Sequence, residues 1–177
     1  MDRQRGFTLA EIVFALAIVA GLLGWGLPGF REMQRNAARS REINQFVHAV
    51  HLARQEAIKR NGVVSLCPSS DGDRCAPPGT PWHEGWIVFV NSDADAPATR
   101  DPGEPLLRMA APWPDGSLDG NRTTLSFRPF GQTGVTATFT FCDDRGARAA
   151  RAVIISQTGR PRVSQLDPSD RPLTCPS

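Results

Sequence analysis

The chain has 177 residues and a formal net charge of +2, a length that leaves room for an N-terminal helix and one folded domain of ordinary small size. So small a net charge excludes a protein whose whole surface attracts nucleic acid. Any argument from charge must therefore be local.

A short basic leader and a long apolar run open the chain. Residues 1–6 carry two arginines against one aspartate, and Phe7–Leu27 is apolar apart from Thr8 and Glu11. About twenty such residues cross a bilayer as a helix, and the arginines favour a cytoplasmic N-terminus. Because no small-residue cleavage site follows the run, we expect a retained transmembrane helix over residues 7–27 with the rest of the chain outside the cytoplasm.

An amphipathic helix is predicted over residues 28–61. Pro28 and Gly29 are expected to interrupt the helical run, and Asn61-Gly62 to end it, with Gly62 in the left-handed conformation. Between these points apolar residues recur every three or four positions, at Ile43, Phe46, Val47, Val50, Ala53 and Ala57. This stripe should pack against the following domain.

Residues 62–177 are predicted to form a β-rich head. Short β-branched or aromatic runs bounded by turn residues indicate antiparallel strands, and in residues 135–141 the alternation places Val135, Ala137, Phe139 and Phe141 on one face. The fold class is therefore α+β. The predicted strands are Val63–Cys67, Trp86–Val90, Leu106–Met109, Thr124–Arg128, Val135–Cys142, Ala152–Ser156 and Arg162–Leu166.

The cysteines point to an oxidising compartment. All four, Cys67, Cys75, Cys142 and Cys175, follow the apolar run, and their even number suits disulfides in a periplasmic or extracellular head. No two lie at the spacing of a zinc site, so zinc is disfavoured. Three pairings are possible; we favour Cys67 with Cys75, which closes a small loop, and Cys142 with Cys175, which tethers the C-terminal tail.

The N-terminus carries a motif typical of secreted filament subunits. Residues Arg5–Glu11, read with the apolar run, resemble the class III signal of type IV prepilins and type II secretion pseudopilins. The resemblance implies that a prepilin peptidase cleaves between Gly6 and Phe7 and methylates the new amine of Phe7. Glu11 would then have an assembly role, because a carboxylate in the hydrocarbon core needs a partner and a neighbouring subunit's N-terminal amine supplies one.

The head resembles the GspH/FimT family of minor pilins and pseudopilins. The similarity lies in Arg54–Ile58, Gly85–Phe89, Phe127–Gly131 and Ile154–Arg162. It implies the pilin fold, in which a long N-terminal helix packs on an antiparallel head, here expected to contain two small sheets. It also implies an inner-membrane, single-pass subunit that assembles with other pilins or pseudopilins, without enzymatic activity or cofactor.

A basic segment near the C-terminus offers the sharpest functional signal. Gly159-Arg160-Pro161-Arg162 resembles the Gly-Arg-x-Arg element of the FimT branch, which binds DNA during natural transformation. Residues 145–166 contain no acid and five arginines, Arg145, Arg148, Arg151, Arg160 and Arg162. Contacts from arginine to phosphate would bind double-stranded DNA regardless of sequence. The alternatives are ordinary solvated arginines in a structural minor pilin that primes assembly, or a type II secretion pseudopilin.

Other chemistry is disfavoured by spacing. His48 and His51 form at most half a metal site, and the acidic loop of residues 93–104 lacks the glycine of a calcium loop. Asp143 and Asp144 suit a hairpin turn better than acid–base catalysis. No metal site is predicted, and no phosphate-binding loop or nucleophile elbow is found in the sequence.

Overall fold

The computed structural model describes residues 8–175, without the side chains of residues 23–28. The chain divides into two compact units, Met1–Ala38 and Arg39–Ser177. The predicted cleavage site at Gly6 and Phe7 lies outside the described residues. The predicted membrane span is described only in part, and no helix in the described part combines the length and hydropathy needed to cross a bilayer.

One long helix, α1, runs from Leu9 to Arg60. The interruption predicted at Pro28 and Gly29 is wrong, since both residues lie in continuous helix. The proline ring fixes φ near the helical value, so the helix can continue, although it loses one hydrogen bond at that turn. In the first unit the described large apolar side chains of α1 are exposed, including Leu9, Phe14 and Leu22, at 83%, 71% and 70%.

Both ends of α1 are capped by local hydrogen bonds. At its start the Thr8 amide and hydroxyl donate to the Glu11 carboxylate, while the Glu11 amide donates to the Thr8 hydroxyl, which is a capping box. At its end the amides of Asn61 and Gly62 donate to the carbonyls of Ile58 and Ala57. Asn61, at φ +50°, takes the left-handed position that we predicted for Gly62.

The second unit contains two four-stranded sheets within its described residues. In the first, the strand order is β3-β2-β1-β5, and in the second it is β4-β6-β7-β8, with every pairing antiparallel. The strands are β1 Val63–Pro68, β2 Trp86–Asn91, β3 Leu106–Ala110, β4 Gly116–Gly120, β5 Leu125–Phe127, β6 Ala137–Asp143, β7 Arg151–Ile155 and β8 Pro161–Ser164.

The core of this unit lies between α1 and the inner faces of both sheets. Phe46 of α1 is fully buried and meets Trp82, Trp86 and Phe141 edge-on, with ring centroids 5.6–6.0 Å apart. Such edge-to-face pairs add to the gain from burying apolar area. The predicted stripe therefore packs against the sheets, with Ile43, Phe46, Val50, Ala53 and Ala57 buried and Val47 partly buried. Ala49, which the prediction did not include, is buried as well.

Seven of the eight strands were predicted with ends displaced by no more than two residues. The strand β4 was missed because glycines begin and end it, and glycine disfavours strands. A side chain at Gly116 would come within 2.4 Å of the Trp113 ring, and one at Gly120 within 2.7 Å of the Phe139 ring. Those rings occupy the space of the absent side chains. Val135, predicted to face the core, precedes β6 and is 39% exposed.

Candidate nucleic-acid interface

The β7–β8 hairpin turn presents the predicted Gly-Arg-Pro-Arg element. The Gly159 amide donates to the Ser156 carbonyl at 2.8 Å, and the Ser156 amide donates to the Arg160 carbonyl at 3.1 Å. Gly159 has φ +75°, a conformation that favours glycine. A Cβ added there would lie 2.2 Å from the carbonyl oxygen of Gly131. The turn therefore requires glycine both for its backbone conformation and for this close approach.

Arg160 and Arg162 are exposed on this hairpin. Arg162 lies opposite Ile154 in the β7–β8 ladder, whereas Arg160 immediately precedes β8. Within residues 8–175 neither guanidinium has a hydrogen bond or ion pair to another part of the chain. Both are free to contact an anion in solution.

The other three predicted arginines lie at the opposite end of β7. Arg151 begins that strand, so four residues, or about 13 Å at the usual rise per residue, separate it from the end that leads into the turn. It donates to the carbonyls of Ala149 and Ala150, at 3.3 Å and 2.8 Å. Arg148 is exposed. The hairpin therefore places the five predicted arginines at its two ends, with Arg160 and Arg162 at one end and Arg145, Arg148 and Arg151 at the other.

Arg145 is held in a buried ion-pair network. Its Nε and Nη2 donate to the two oxygens of Asp143 at 3.0 Å and 2.5 Å, and Asp143 also meets Arg39 of α1 at 3.4 Å. The side chains of Arg39 and Asp143 are only 7% and 6% exposed. The hydrogen bonds from Arg145 hold the pKa of the Asp143 carboxyl below its ordinary value, while burial lowers the pKa of Arg39. This network fastens the β6–β7 connection to the helix.

A second turn, which sequence reasoning did not connect with the site, lies against the first. Arg128 begins a tight turn in which the Gly131 amide donates to the Arg128 carbonyl at 2.7 Å. The Gly131 carbonyl accepts from Nε of Arg54 at 3.1 Å and touches Gly159. Phe130, at the tip, is 80% exposed. We call Arg128, Phe130, Arg160 and Arg162 the two-turn surface.

The local sequence indicates the Arg128–Gly131 turn but not its contact with the β7–β8 turn. Proline at the second and glycine at the fourth position of Arg128-Pro129-Phe130-Gly131 are typical of a type I turn, which leaves Phe130 at its tip. The contact between this turn and another turn about thirty residues later depends on packing, so no local pattern indicates it.

Two disulfides close the described part of the head. Cys67 pairs with Cys75, and Cys142 pairs with Cys175, which is the pairing favoured above. The second bond holds the C-terminal tail against the outer face of the second sheet, where Leu173 is buried in a cluster with Cys142, Ala150, Ala152 and Ile154.

The residues considered for other chemistry are spread out or already engaged. His48 and His51 are exposed, and residues 8–175 contain no group of three side chains suited to holding a metal ion. In the acidic loop, Asp95 accepts hydrogen bonds from Asn91 and Thr99, and Glu104 accepts them from Ser92 and Asp101. These carboxylates stabilise the loop itself.

Comparison with known families identifies the type of protein. The family model described as type II transport protein GspH matches residues 42–159, which include most of both sheets and Gly159. The chain belongs to the GspH family. A second model, the prokaryotic N-terminal methylation motif, matches residues 1–24. The resemblance inferred from the sequence is confirmed.

Known relatives of this GspH-family chain are pilin-like. Pilin-like protein PilA1 of Thermus thermophilus is 32% identical over 168 residues, covering 90% of this chain and 98% of its own. Prepilin peptidase-dependent protein D of Escherichia coli is 32% identical over 72 residues, covering 41% of this chain and 49% of its own. The chain is therefore a pilin-like protein of the GspH family, and that family implies assembly with other pilins or pseudopilins.

A solved structure has the same fold. The type IV minor pilin FimU of Pseudomonas aeruginosa superimposes with a TM-score of 0.55 at 20% identity, over 78% of this chain and 98% of FimU. The α+β pilin fold predicted from the sequence is confirmed, with an N-terminal helix and two antiparallel sheets.

Proposed function

We propose that this GspH-family subunit is a non-enzymatic minor type IV pilin whose head binds DNA through its phosphates for uptake in natural transformation. The observation that carries the proposal is the β7–β8 turn, which exposes Arg160 and Arg162 with no partner for either guanidinium within the described residues. Two exposed guanidiniums bind phosphate oxygens without reading sequence, which suits the uptake of arbitrary DNA.

The roles of the other predicted arginines follow from their environments. Arg148 is exposed at the far end of the hairpin and contributes at most a separate phosphate contact. Arg145 and Arg151 already donate to Asp143 and to backbone carbonyls. Breaking those bonds would offset any gain from binding phosphate, so both arginines contribute less to DNA affinity than Arg160 and Arg162.

The N-terminal unit supports filament assembly from the inner membrane. The match to the methylation motif supports cleavage by a prepilin peptidase between Gly6 and Phe7, with methylation of Phe7. Glu11 lies in the first turn of α1, whose described large apolar side chains before residue 39 are exposed, so a membrane or neighbouring subunits must cover them. We infer that the Glu11 carboxylate gives up its hydrogen bonds from Thr8 and pairs with the N-terminal amine of a neighbouring subunit. Mass spectrometry of the mature N-terminus tests cleavage and methylation. Recovery of filaments from cells that carry Glu11→Gln tests the role of Glu11.

A salt titration tests DNA binding. The full-length protein in detergent micelles is compared with Arg160→Ala/Arg162→Ala by fluorescence anisotropy on labelled duplex DNA. If each arginine neutralises one phosphate, the double variant reduces the magnitude of the log–log salt slope by about 2 and weakens binding at every salt concentration. Arg148→Ala/Arg151→Ala, a change of equal charge at the other end of the hairpin that leaves the pairing of Asp143 with Arg39 and Arg145 intact, serves as the control and should have a smaller effect.

The second candidate function is assembly priming, or service as a pseudopilin in protein secretion. The matching family description, type II transport protein GspH, and the exposed apolar helix favour it. In that case the wild-type protein would show no salt-dependent affinity for DNA, and Arg160→Ala/Arg162→Ala would leave pilus assembly or secretion unchanged. Equal binding by the wild type and the double variant would refute the assignment of these two arginines.

A further inference from the structure

Phe130 is an exposed aromatic side chain in a unit that buries its other phenylalanines. Among the described residues of Arg39–Ser177, Phe46, Phe89, Phe127, Phe139 and Phe141 are at most 1% exposed, whereas Phe130 is 80% exposed. A phenyl ring gains stability from burial, and nothing in the described part of the chain covers this one. An exposed ring of this size is available to stack on a molecule outside the chain.

The turn that carries Phe130 is held from several sides. Two backbone hydrogen bonds close the turn. The Gly131 amide donates to the Arg128 carbonyl at 2.7 Å, and the Arg128 amide donates to the Gln132 carbonyl at 2.8 Å. The amide of Thr133 donates to the carbonyl of Gln157 at 3.0 Å in the neighbouring hairpin turn. The ring therefore projects from a backbone that is already ordered, so binding a ligand costs little free energy for ordering that backbone.

The two turns that meet at Gly131 and Gly159 carry arginines and no acidic residue in the adjoining sequence. Arg128 lies two residues before Phe130, and Arg160 follows Gly159, which contacts the carbonyl of Gly131 on the neighbouring turn. The two segments that build the surface, residues 120–142 and 145–166, contain no aspartate or glutamate. The side chain of Arg128, like those of Arg160 and Arg162, makes no ion pair within the described residues. Such a surface complements a polyanion.

An exposed ring among arginines matches the chemistry of a single-stranded nucleic acid. Arginines contact the phosphates, while an aromatic ring stacks on a base whose face is uncovered. In duplex DNA the base faces are stacked on one another, so the ring gains no such contact there. Arginines alone favour the duplex, because its phosphates are more densely spaced.

We propose that Phe130 stacks on an unpaired base and that the two-turn surface is thereby a binding site for single-stranded DNA. This inference rests on the proposed function, since Arg160 and Arg162 supply the phosphate contacts. It extends that function to strands or strand ends whose bases are unpaired. The site recognises whether a base is unpaired, and it discriminates little among the four bases.

The test compares three ligands and four variants of the full-length protein in detergent micelles. The ligands are a labelled single strand without self-complementarity, the same strand as a duplex, and an abasic strand of equal length. Three variants change the ring: Phe130→Ala, Phe130→Trp and Phe130→Leu. The fourth, Met109→Ala, is the control, because Met109 is 59% exposed on the first sheet and its replacement also removes exposed apolar area. Thermal unfolding followed by circular dichroism verifies that each variant is folded.

Phe130→Ala should weaken binding of the single strand about tenfold while changing affinity for the duplex and the abasic strand by less than about twofold. Phe130→Trp should bind the single strand at least as tightly as the wild type, and its added indole emission should be quenched by that strand. Phe130→Leu should resemble Phe130→Ala, and Met109→Ala should resemble the wild type.

Equal losses on single strand and duplex, or wild-type affinity in Phe130→Leu, would overturn the stacking role while leaving the phosphate contacts intact. Failure of the wild type to bind any of the three ligands would overturn the proposed function as well. A loss of filament assembly in Phe130→Ala, with unchanged affinity for the single strand, would assign the ring to a protein neighbour and refute the proposal.

Discussion

Replacing Gly159 with alanine tests whether the β7–β8 turn packs against the Arg128–Gly131 turn. Two costs add at this position. Alanine at φ +75° is strained by about 1–2 kcal/mol. Its Cβ would also lie 2.2 Å from the Gly131 carbonyl oxygen, so one backbone segment must move, and overpacking of this kind costs about 1–3 kcal/mol. The expected total is about 3 kcal/mol.

Gly134 provides the matched control. Its φ is +70°, yet a Cβ built there meets no atom within 4 Å. Gly134→Ala therefore carries the backbone strain without the clash, and it should cost about 1 kcal/mol. At roughly 4 °C per kcal/mol for a domain of this size, the melting temperature should fall by about 12 °C in Gly159→Ala and about 4 °C in Gly134→Ala.

The assay is urea and thermal unfolding in the same detergent, followed by the fluorescence of the buried tryptophans Trp82, Trp86 and Trp113. The difference between the two variants isolates the contact between the turns, because the strain at the two glycines is similar. Equal destabilisation by both substitutions would show that the two turns do not touch. The two-turn surface would then have no basis.

Two further predictions concern the network and the disulfides of the head. Asp143→Asn breaks a buried ion pair and should destabilise the protein by about 3 kcal/mol in urea unfolding at neutral pH. Because the folded-state pKa of Asp143 is depressed, its contribution is complete above the ordinary carboxyl pKa of about 3.9 and is lost as the pH falls further. The wild type should therefore lose its advantage over Asp143→Asn on acidification, and a constant difference down to pH 2 would contradict this assignment. Replacing Cys142 and Cys175 by alanine should lower the free energy of unfolding by roughly 4 kcal/mol, and replacing Cys67 and Cys75 should lower it by roughly 2.5 kcal/mol. The first disulfide joins residues 33 positions apart and the second joins residues 8 apart, so the first restricts the unfolded chain more. A larger loss in the second variant would argue against loop entropy as the main contribution.

Much of the architecture could be predicted from local patterns. The apolar stripe from Ile43 to Ala57 has the period of a helix and packs as expected. The alternation in β6 places Phe139 and Phe141 in the core. Hydrophobic period works for these two elements because α1 and β6 each turn one apolar face toward that core.

Three local predictions were wrong, each for its own physical reason. The helix continues through Pro28, although proline disfavours helix interiors. The strand β4 forms despite its terminal glycines, because the rings of Trp113 and Phe139 occupy the space of the missing side chains. Asn61 takes the left-handed position one residue before Gly62, since asparagine also tolerates that conformation.

For the candidate site, the sequence by itself determined which residues carry charge and where a glycine turn presents Arg160 and Arg162. Only the tertiary structure decided which of those charges remain available to bind a ligand. It places Asp143 against Arg145 and against Arg39, more than a hundred residues away, and it brings the carbonyl of Gly131, the residue after Phe130, against Gly159. Composition and period record what a residue prefers within its own element. Partners distant in the chain are chosen by how the elements pack, because a buried charge must find an opposite charge and a close backbone approach must find a glycine.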